Sequence, residues 1–268
     1  MSEFVRAVGA EFRKVFSTRL WWVLGLILFG YVGISAVGIG FALTLSPEAD
    51  GPLPIDLAPL IYSMTTATGF VFPVIFGAMS ITGEVRHRTL ATVFLATPHR
   101  GVVLAAKATV ALFLGALYGL IGLVASVGLG APVLAANDQP TTLDDGDTWL
   151  LLARIVLAMA IWGLVGVGVG VMIPSQIGSI VAILAFTQFV EPLLRTAAAF
   201  VDGLDEVGRF LPGAAGDALV GASFFSVFAG ATGGAAPLEW WQGGLVLAGF
   251  ALVFGLIGSL TTWRRDVS

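Results

Sequence analysis

The chain has 268 residues, of which 57% are hydrophobic and only 11% charged, with 13 lysines and arginines against 17 aspartates and glutamates. Soluble domains carry roughly 25% charged residues, so water is excluded as the solvent for most of this chain. There is no cysteine, which excludes disulfides, thiolate nucleophiles and Cys-bearing metal sites.

Within residues 1–19, positions 2–18 read as an amphipathic helix. Phe4, Val5, Val8, Phe12, Val15 and Phe16 recur at helical spacing, with Arg6, Glu11, Arg13 and Lys14 as polar flanks. Such a helix lies along a membrane surface. Arg19-Leu20-Trp21-Trp22 then marks an entry point, with a snorkelling cation and two interfacial indoles. The apolar run from Leu20 to Leu45 exceeds the roughly 7–15 residues of a signal-peptide core, so it is expected as a retained first span.

Further spans are expected at about 60–82, 107–131, 149–172, 177–199 and 240–263, which makes six. Pro73 should kink the second. Ala131 to Thr148 reads as a solvated loop closing the third, and "IPSQ" (Ile173–Gln176) breaks the fourth from the fifth. Residues 200–239 hold no full-length span, and the apolar stretch Ala218–Ala231 is too short to cross; re-entrant half-helices are expected there. The fold class is therefore all-α, a single polytopic domain over 1–268.

Charge sets the orientation. Arg6, Arg13, Lys14, Arg19, Arg86, Arg88, Arg100, Lys107, Arg264 and Arg265 fall on one side, and only Arg154, Arg195 and Arg209 on the other. The positive-inside rule puts the first group, with both termini, in the cytoplasm.

Between spans two and three lies "GEVRHRTLATVFLATPHRGVVLAAK", Gly83 to Lys107, with both histidines of the chain. Any cytoplasmic loop is basic, which accounts for charge but not for pattern. Val85, Leu90, Val93, Phe94 and Leu95 are interleaved with the charges, so a short amphipathic helix is expected, ended by Pro98. An ordered helix in that place is a docking surface.

Enzyme signatures fall short. No G-x-x-x-x-G-K-[ST] loop is present, so the chain has no such means of binding and hydrolysing ATP. There is no H-E-x-x-H, and His87 and His99 stand too far apart to suggest a metal pair. Asp144–Thr148 lacks the spacing of a calcium loop. "GLVGVGVG" (Gly163–Gly170) sits inside a span, where the spacing of Gly166 with Gly170, and of Gly115 with Gly119, permits close helix packing. No catalytic residue, metal or cofactor is assigned to this chain.

Polar residues within the spans are costly in hydrocarbon and are candidates for a translocation path. They are Thr65, Thr66 and Thr68 in span two, with Thr187, Gln188 and Glu191 in span five. Glu191 and Arg195 are also i,i+4, so a local ion pair and a path-lining role both remain open.

These pieces together resemble a known family. The "E-x-x-K" of Glu11 and Lys14 and the "STR" of Ser17–Arg19 precede span one. "GE-x-R-x-x-TL" (Gly83, Glu84, Arg86, Thr89, Leu90), "TP-x-R" (Thr97, Pro98, Arg100) and Lys107 follow span two. The set resembles the membrane subunits of bacterial type-2 ABC transporters, the ABC-2 type permease family. The resemblance implies an exporter permease in the bacterial inner membrane, paired with a second permease copy or paralogue as a dimer. It also implies a separate cytoplasmic ABC ATPase subunit, with ATP and Mg bound there and no nucleic acid involved.

Residues 83–106 would be the coupling segment, with Glu84, Arg86, His87, Arg88, Thr89, Pro98 and Arg100 as its contacts, aided by Glu11 and Lys14. In relatives, spans two and five line the path and spans one and five form the dimer seam. The long extracellular domain of some relatives is absent. The expected function is alternating-access export of an amphipathic or hydrophobic cargo (drug, lipid or peptide). A secondary transporter and a non-transporting membrane scaffold are the alternatives.

Overall fold

The computed structural model describes residues 2–45, 56–198, 205–222 and 238–261. Among these the only regular secondary structure is helix. The helices are α1 (Glu3–Ser17), α2 (Leu20–Thr44), α3 (Leu57–Tyr62), α4 (Met64–Ala67), α5 (Val71–Arg86) and α6 (Leu90–Ala96). They continue as α7 (Arg100–Ala136), α8 (Gly146–Met172), α9 (Gln176–Ala185), a π turn (Phe186–Val190), α10 (Glu191–Ala198), α11 (Asp205–Gly208), α12 (Pro212–Val220) and α13 (Trp240–Thr261).

Six helical segments are long and apolar enough to cross a membrane: α2, the run Leu57–Arg86, α7, α8, the run Gln176–Ala198 and α13. Their outer faces bear exposed leucine, isoleucine and phenylalanine in numbers no water-soluble surface carries. Examples are Leu26, Ile27 and Ile34 on α2, Phe189 and Leu193 around α10, and Leu252 and Leu256 on α13. Lipid is the solvent that such a surface fits.

α8 sits at the centre, packed on α5, α7 and α13. Its glycines allow this. A Cβ at Gly163 would stand 2.5 Å from the carbonyl oxygen of Ala111 on α7, and one at Gly170 2.7 Å from that of Ala78 on α5. Gly168 meets Ala251 and Phe254 of α13 in the same way. Backbones that close exchange dispersion contact over their whole length, which drives association where lipid tails are as apolar as leucine. The "GLVGVGVG" run is thus a packing hub, as its context predicts.

The second span is broken rather than smoothly helical. Pro73 has no N–H to give the carbonyl of Gly69 and its ring crowds that oxygen, so the chain tightens there and the oxygen accepts from Phe72 N at 3.1 Å instead. The break at 68–70 thus falls one turn before the proline and separates α4 from α5. Pro192 acts similarly on the fifth span, where the π turn lies directly ahead of it.

The third span corrects the expected boundaries. α7 covers 37 residues, Arg100–Ala136, rather than 107–131. Pro132 does not stop it: one lost bond in hydrocarbon is cheaper than exposing a whole turn of backbone, and Ala131, Val133 and Leu134 are buried against the bundle. The loop therefore starts at Asn137, whose Nδ2 donates to the Val133 carbonyl at 2.8 Å. Of residues 200–239, the structure describes α11, α12 and their flanks; the rest of the stretch lies outside the described residues, as does most of Ala218–Ala231. α12 is nine residues long and buried among α8 and α13.

Candidate functional site at the basic end of the bundle

An even number of crossings gathers α1, the end of α5, α6, the start of α7 and the start of α9 at one end of the bundle. Most of the described cations lie there. Its core is a ring of four charged side chains from three helices. Lys107 Nζ lies 2.9 Å from Glu11 Oε2 and 2.8 Å from Glu84 Oε1, and donates to the Ser80 carbonyl at 3.1 Å. Lys14 Nζ lies 2.9 Å from Glu11 Oε1 and also pairs with Glu84. Signs alternate around the ring, so each lysine is flanked by two carboxylates.

The local sequence explains the convergence. Glu11 and Lys14 are i,i+3 and share a face of α1. Glu84 is on the last turn of α5, and Lys107 stands two turns into α7, where an unpaired ammonium would be costly. The Lys107 side chain is fully buried while that of Lys14 is 47% exposed. Glu84 Oε2 is the ring's one buried oxygen without a hydrogen-bond partner. Burial pushes the Glu11 carboxyl up, but Lys107 and Lys14 outweigh it and hold its pKa below the ordinary value. For Lys14 burial pulls down, and Glu84 and Glu11 overcome it, leaving the pKa raised.

Above the ring, α5 ends in a left-handed cap. Arg88 has φ 55°, Thr89 N donates to the Glu84 carbonyl at 3.0 Å, and Arg88 N to that of Val85 at 3.2 Å. These two bonds form the Schellman pattern, with arginine where glycine is usual. The sharp turn throws α6 across the end of the bundle. Leu90, Val93 and Phe94 turn inward toward Ile81, Val103 and Val171. The Arg100 guanidinium lies 4.9 Å over the Phe94 ring. Thr97 takes the extended backbone favoured before proline, and Pro98 separates α6 from α7.

Arg86, His87, Arg88, Thr89, Thr92, Leu95 and Pro98 face outward. Leu95 is 83% exposed. Two ties flank this surface: Arg86 donates to Gln176 Oε1 of α9 at 3.2 Å, and His99 Nδ1 lies 3.0 Å from Glu3 of α1.

The expected coupling residues thus fall into two groups. Arg86, His87, Arg88, Thr89 and Pro98 are on the surface, whereas Glu11, Lys14 and Glu84 form the ring beneath it, with Arg100 packed on α6. Sequence reasoning used Lys107 as a boundary mark, an orienting cation and part of the family pattern, gave it no contact, and missed the Glu3–His99 tie. The available signal for Lys107 was its depth: an apolar helix does not keep a lysine there unpaired.

The expected path residues are not brought together. Thr65 is buried and shares a hydrogen bond with Ser126 on α7 at 2.9 Å, while Thr66 and Thr68 bond the carbonyls of Ser63 and Met64. Thr187 bonds the Ile183 carbonyl and Gln188 is exposed on the π turn. Glu191 does two things. Its carboxylate sits 3.8 Å from Arg195 and accepts from the backbone N–H groups of Gly213 and Ala214, the first amides of α12. It is therefore the cap that α12 lacks in its own sequence, since Leu211 and Pro212 supply no side-chain acceptor. Arg195 also pairs with Asp217 of α12 at 2.7 Å.

No group of three or more metal-ligating side chains occurs among the described residues. The architecture is that of a multi-pass helical membrane protein with most of its described cations at one end. Neither a protein-family model nor a curated protein matches the chain.

Proposed function

We propose that the chain is the permease subunit of an ATP-driven exporter, working as a dimer and moved by a separate cytoplasmic ATPase of the ABC type. In this reading the basic end faces the cytoplasm of a bacterial inner membrane, α1 lies along its surface, and the 86–99 segment is the contact for the ATPase. The short helices α11 and α12 are re-entrant elements on the outer side. Closure of the ATPase pair on ATP tilts the spans and opens the path outward for an amphipathic or hydrophobic cargo.

The observation that carries this reading is Leu95. It is almost fully exposed on α6, flanked in sequence by Arg88 and Arg100, at the basic end of the bundle. An apolar side chain offered among cations suits a protein cleft better than water or bilayer. The sequence holds no G-x-x-x-x-G-K-[ST] loop, and in this reading the energy of ATP reaches the chain through such a contact.

The test is purification from the native membrane in mild detergent. The proposal expects vanadate-sensitive ATP hydrolysis to accompany the chain and to be lost with Leu95→Asp or Arg88→Glu. Transport that continues under ATP depletion and collapses with the proton gradient would instead make the chain a secondary transporter. Absence of both activities would leave a scaffold.

A further inference from the structure

We infer that Lys107 is a positioning residue: by binding Glu11 of α1 and Glu84 of α5 together, it makes α1 and the exposed 86–99 segment one rigid body. The inference rests on the permease reading for its purpose, namely that a push on either element reaches both.

The geometry carries it. α1 rests on α7 through Val15, the Phe12–Phe113 ring contact and neighbouring apolar groups, but its link to α5 is the ring of charges. α5 in turn sets the position of α6, because the left-handed cap at Arg88 starts immediately above Glu84. Two carboxylates from different helices therefore meet at one buried ammonium, with Lys14 as the second, half-solvated bridge. Without Lys107, Glu11 and Glu84 would face each other in a poorly solvated site with one exposed cation between them. Like charges that close repel strongly where water does not screen them, so α1 would lift from α5.

This predicts a pattern that simple space-filling by the lysine stem does not. Methionine nearly matches the stem in length and apolar bulk, so Lys107→Met keeps the packing and removes the charge. Adding Glu11→Gln then removes the surplus negative charge and leaves the Lys14–Glu84 pair to bridge α1 and α5. The double variant should regain what the single one loses.

The chain has no cysteine, so Ala10→Cys on α1 and Thr92→Cys on α6, both exposed, can be spin-labelled without background. Pulsed electron resonance on the full chain in nanodiscs then reads the α1–α6 distance. The expected result is one narrow distance for the labelled parent and a broader, longer distribution with Lys107→Met. The narrow peak should return with Glu11→Gln/Lys107→Met.

A narrow peak that survives Lys107→Met overturns the inference, and so does a broad one that the double variant fails to restore. If Lys107→Met does not fold, Glu84→Gln, which removes the carboxylate through which both lysines hold α5, decides: broadening supports the clamp, and an unchanged peak refutes it. No ATPase is needed for these measurements. Their failure would thus leave the permease proposal standing, and a missing ATPase would leave the clamp standing.

Discussion

Lys107 and Lys14 touch the same two carboxylates but are not equivalent. Lys107 is fully buried and Lys14 is about half exposed. Removing one partner from a buried ionic group leaves an uncompensated charge and costs about 3–5 kcal/mol, whereas a solvated pair contributes about 1 kcal/mol or less. Lys107→Met should therefore lower thermal stability in detergent several times as much as Lys14→Met, and equal losses would contradict the ring as described.

The ring also fixes a pH window for docking of α1. The depressed pKa of Glu11 contributes stability that is fully present above the ordinary 4.5 and is lost as pH falls through its lower folded value. The raised pKa of Lys14 contributes stability present below 10.5 and lost as pH rises through its folded value. The distance between labels at Ala10→Cys and Thr92→Cys should stay narrow between these limits and broaden outside them. Broadening near neutrality would contradict the assignment.

These contacts were only half legible in the sequence. The E-x-x-K spacing put Glu11 and Lys14 on one face, but the periodicity of a single helix reads Glu11 as a solvated flank. What buries it is a lysine 96 positions further on, which no local pattern reveals. Glu191 was likewise open between two roles because its partners, the first amides of α12, offer no side chain to recognise.

At the scale of elements, apolar runs located all six spans, and their errors lie at the ends. The third span overruns because Lys107 and Pro132 look like stop signals; a buried counter-charge accommodates the first and the cost of open backbone in lipid overrides the second. The break at 68–70 was legible from Pro73, whereas the π turn before Pro192 was not foreseen.

The close approach of α8 to α5 gives a sharp prediction. A valine at Gly170 would press on the Ala78 backbone, which cannot rotate away, so Gly170→Val should destabilise by about 1–3 kcal/mol or more. Glycine positions without such neighbours, Gly128 and Gly249 among them, should accept alanine with little change in thermal midpoint. Equal sensitivity at both kinds of site would show that the α5–α8 contact is looser than described. Arg88 adds a local test: Arg88→Gly should relieve about 1 kcal/mol of left-handed backbone strain while removing a surface charge.

For the whole molecule, composition and charge asymmetry sufficed to read a membrane bundle with one basic end, and the six apolar helices agree with that reading. Function was far less legible, since spans that face lipid and spans that could face a cargo share the same alphabet. What the structure adds is a division of labour at the basic end. An exposed surface of Arg86 to Pro98 sits on a buried ring that links it to α1, and the proposed role follows from that surface.

The most direct test of the account labels that surface. Leu95→Cys gives one reactive thiol in a cysteine-free chain, probed with a membrane-impermeant maleimide in inverted vesicles. The account predicts rapid labelling of the permease alone and strong protection in membranes that retain its ATPase, with protection lost once the ATPase is stripped. Labelling at the same rate in both preparations, or only in right-side-out vesicles, would contradict it.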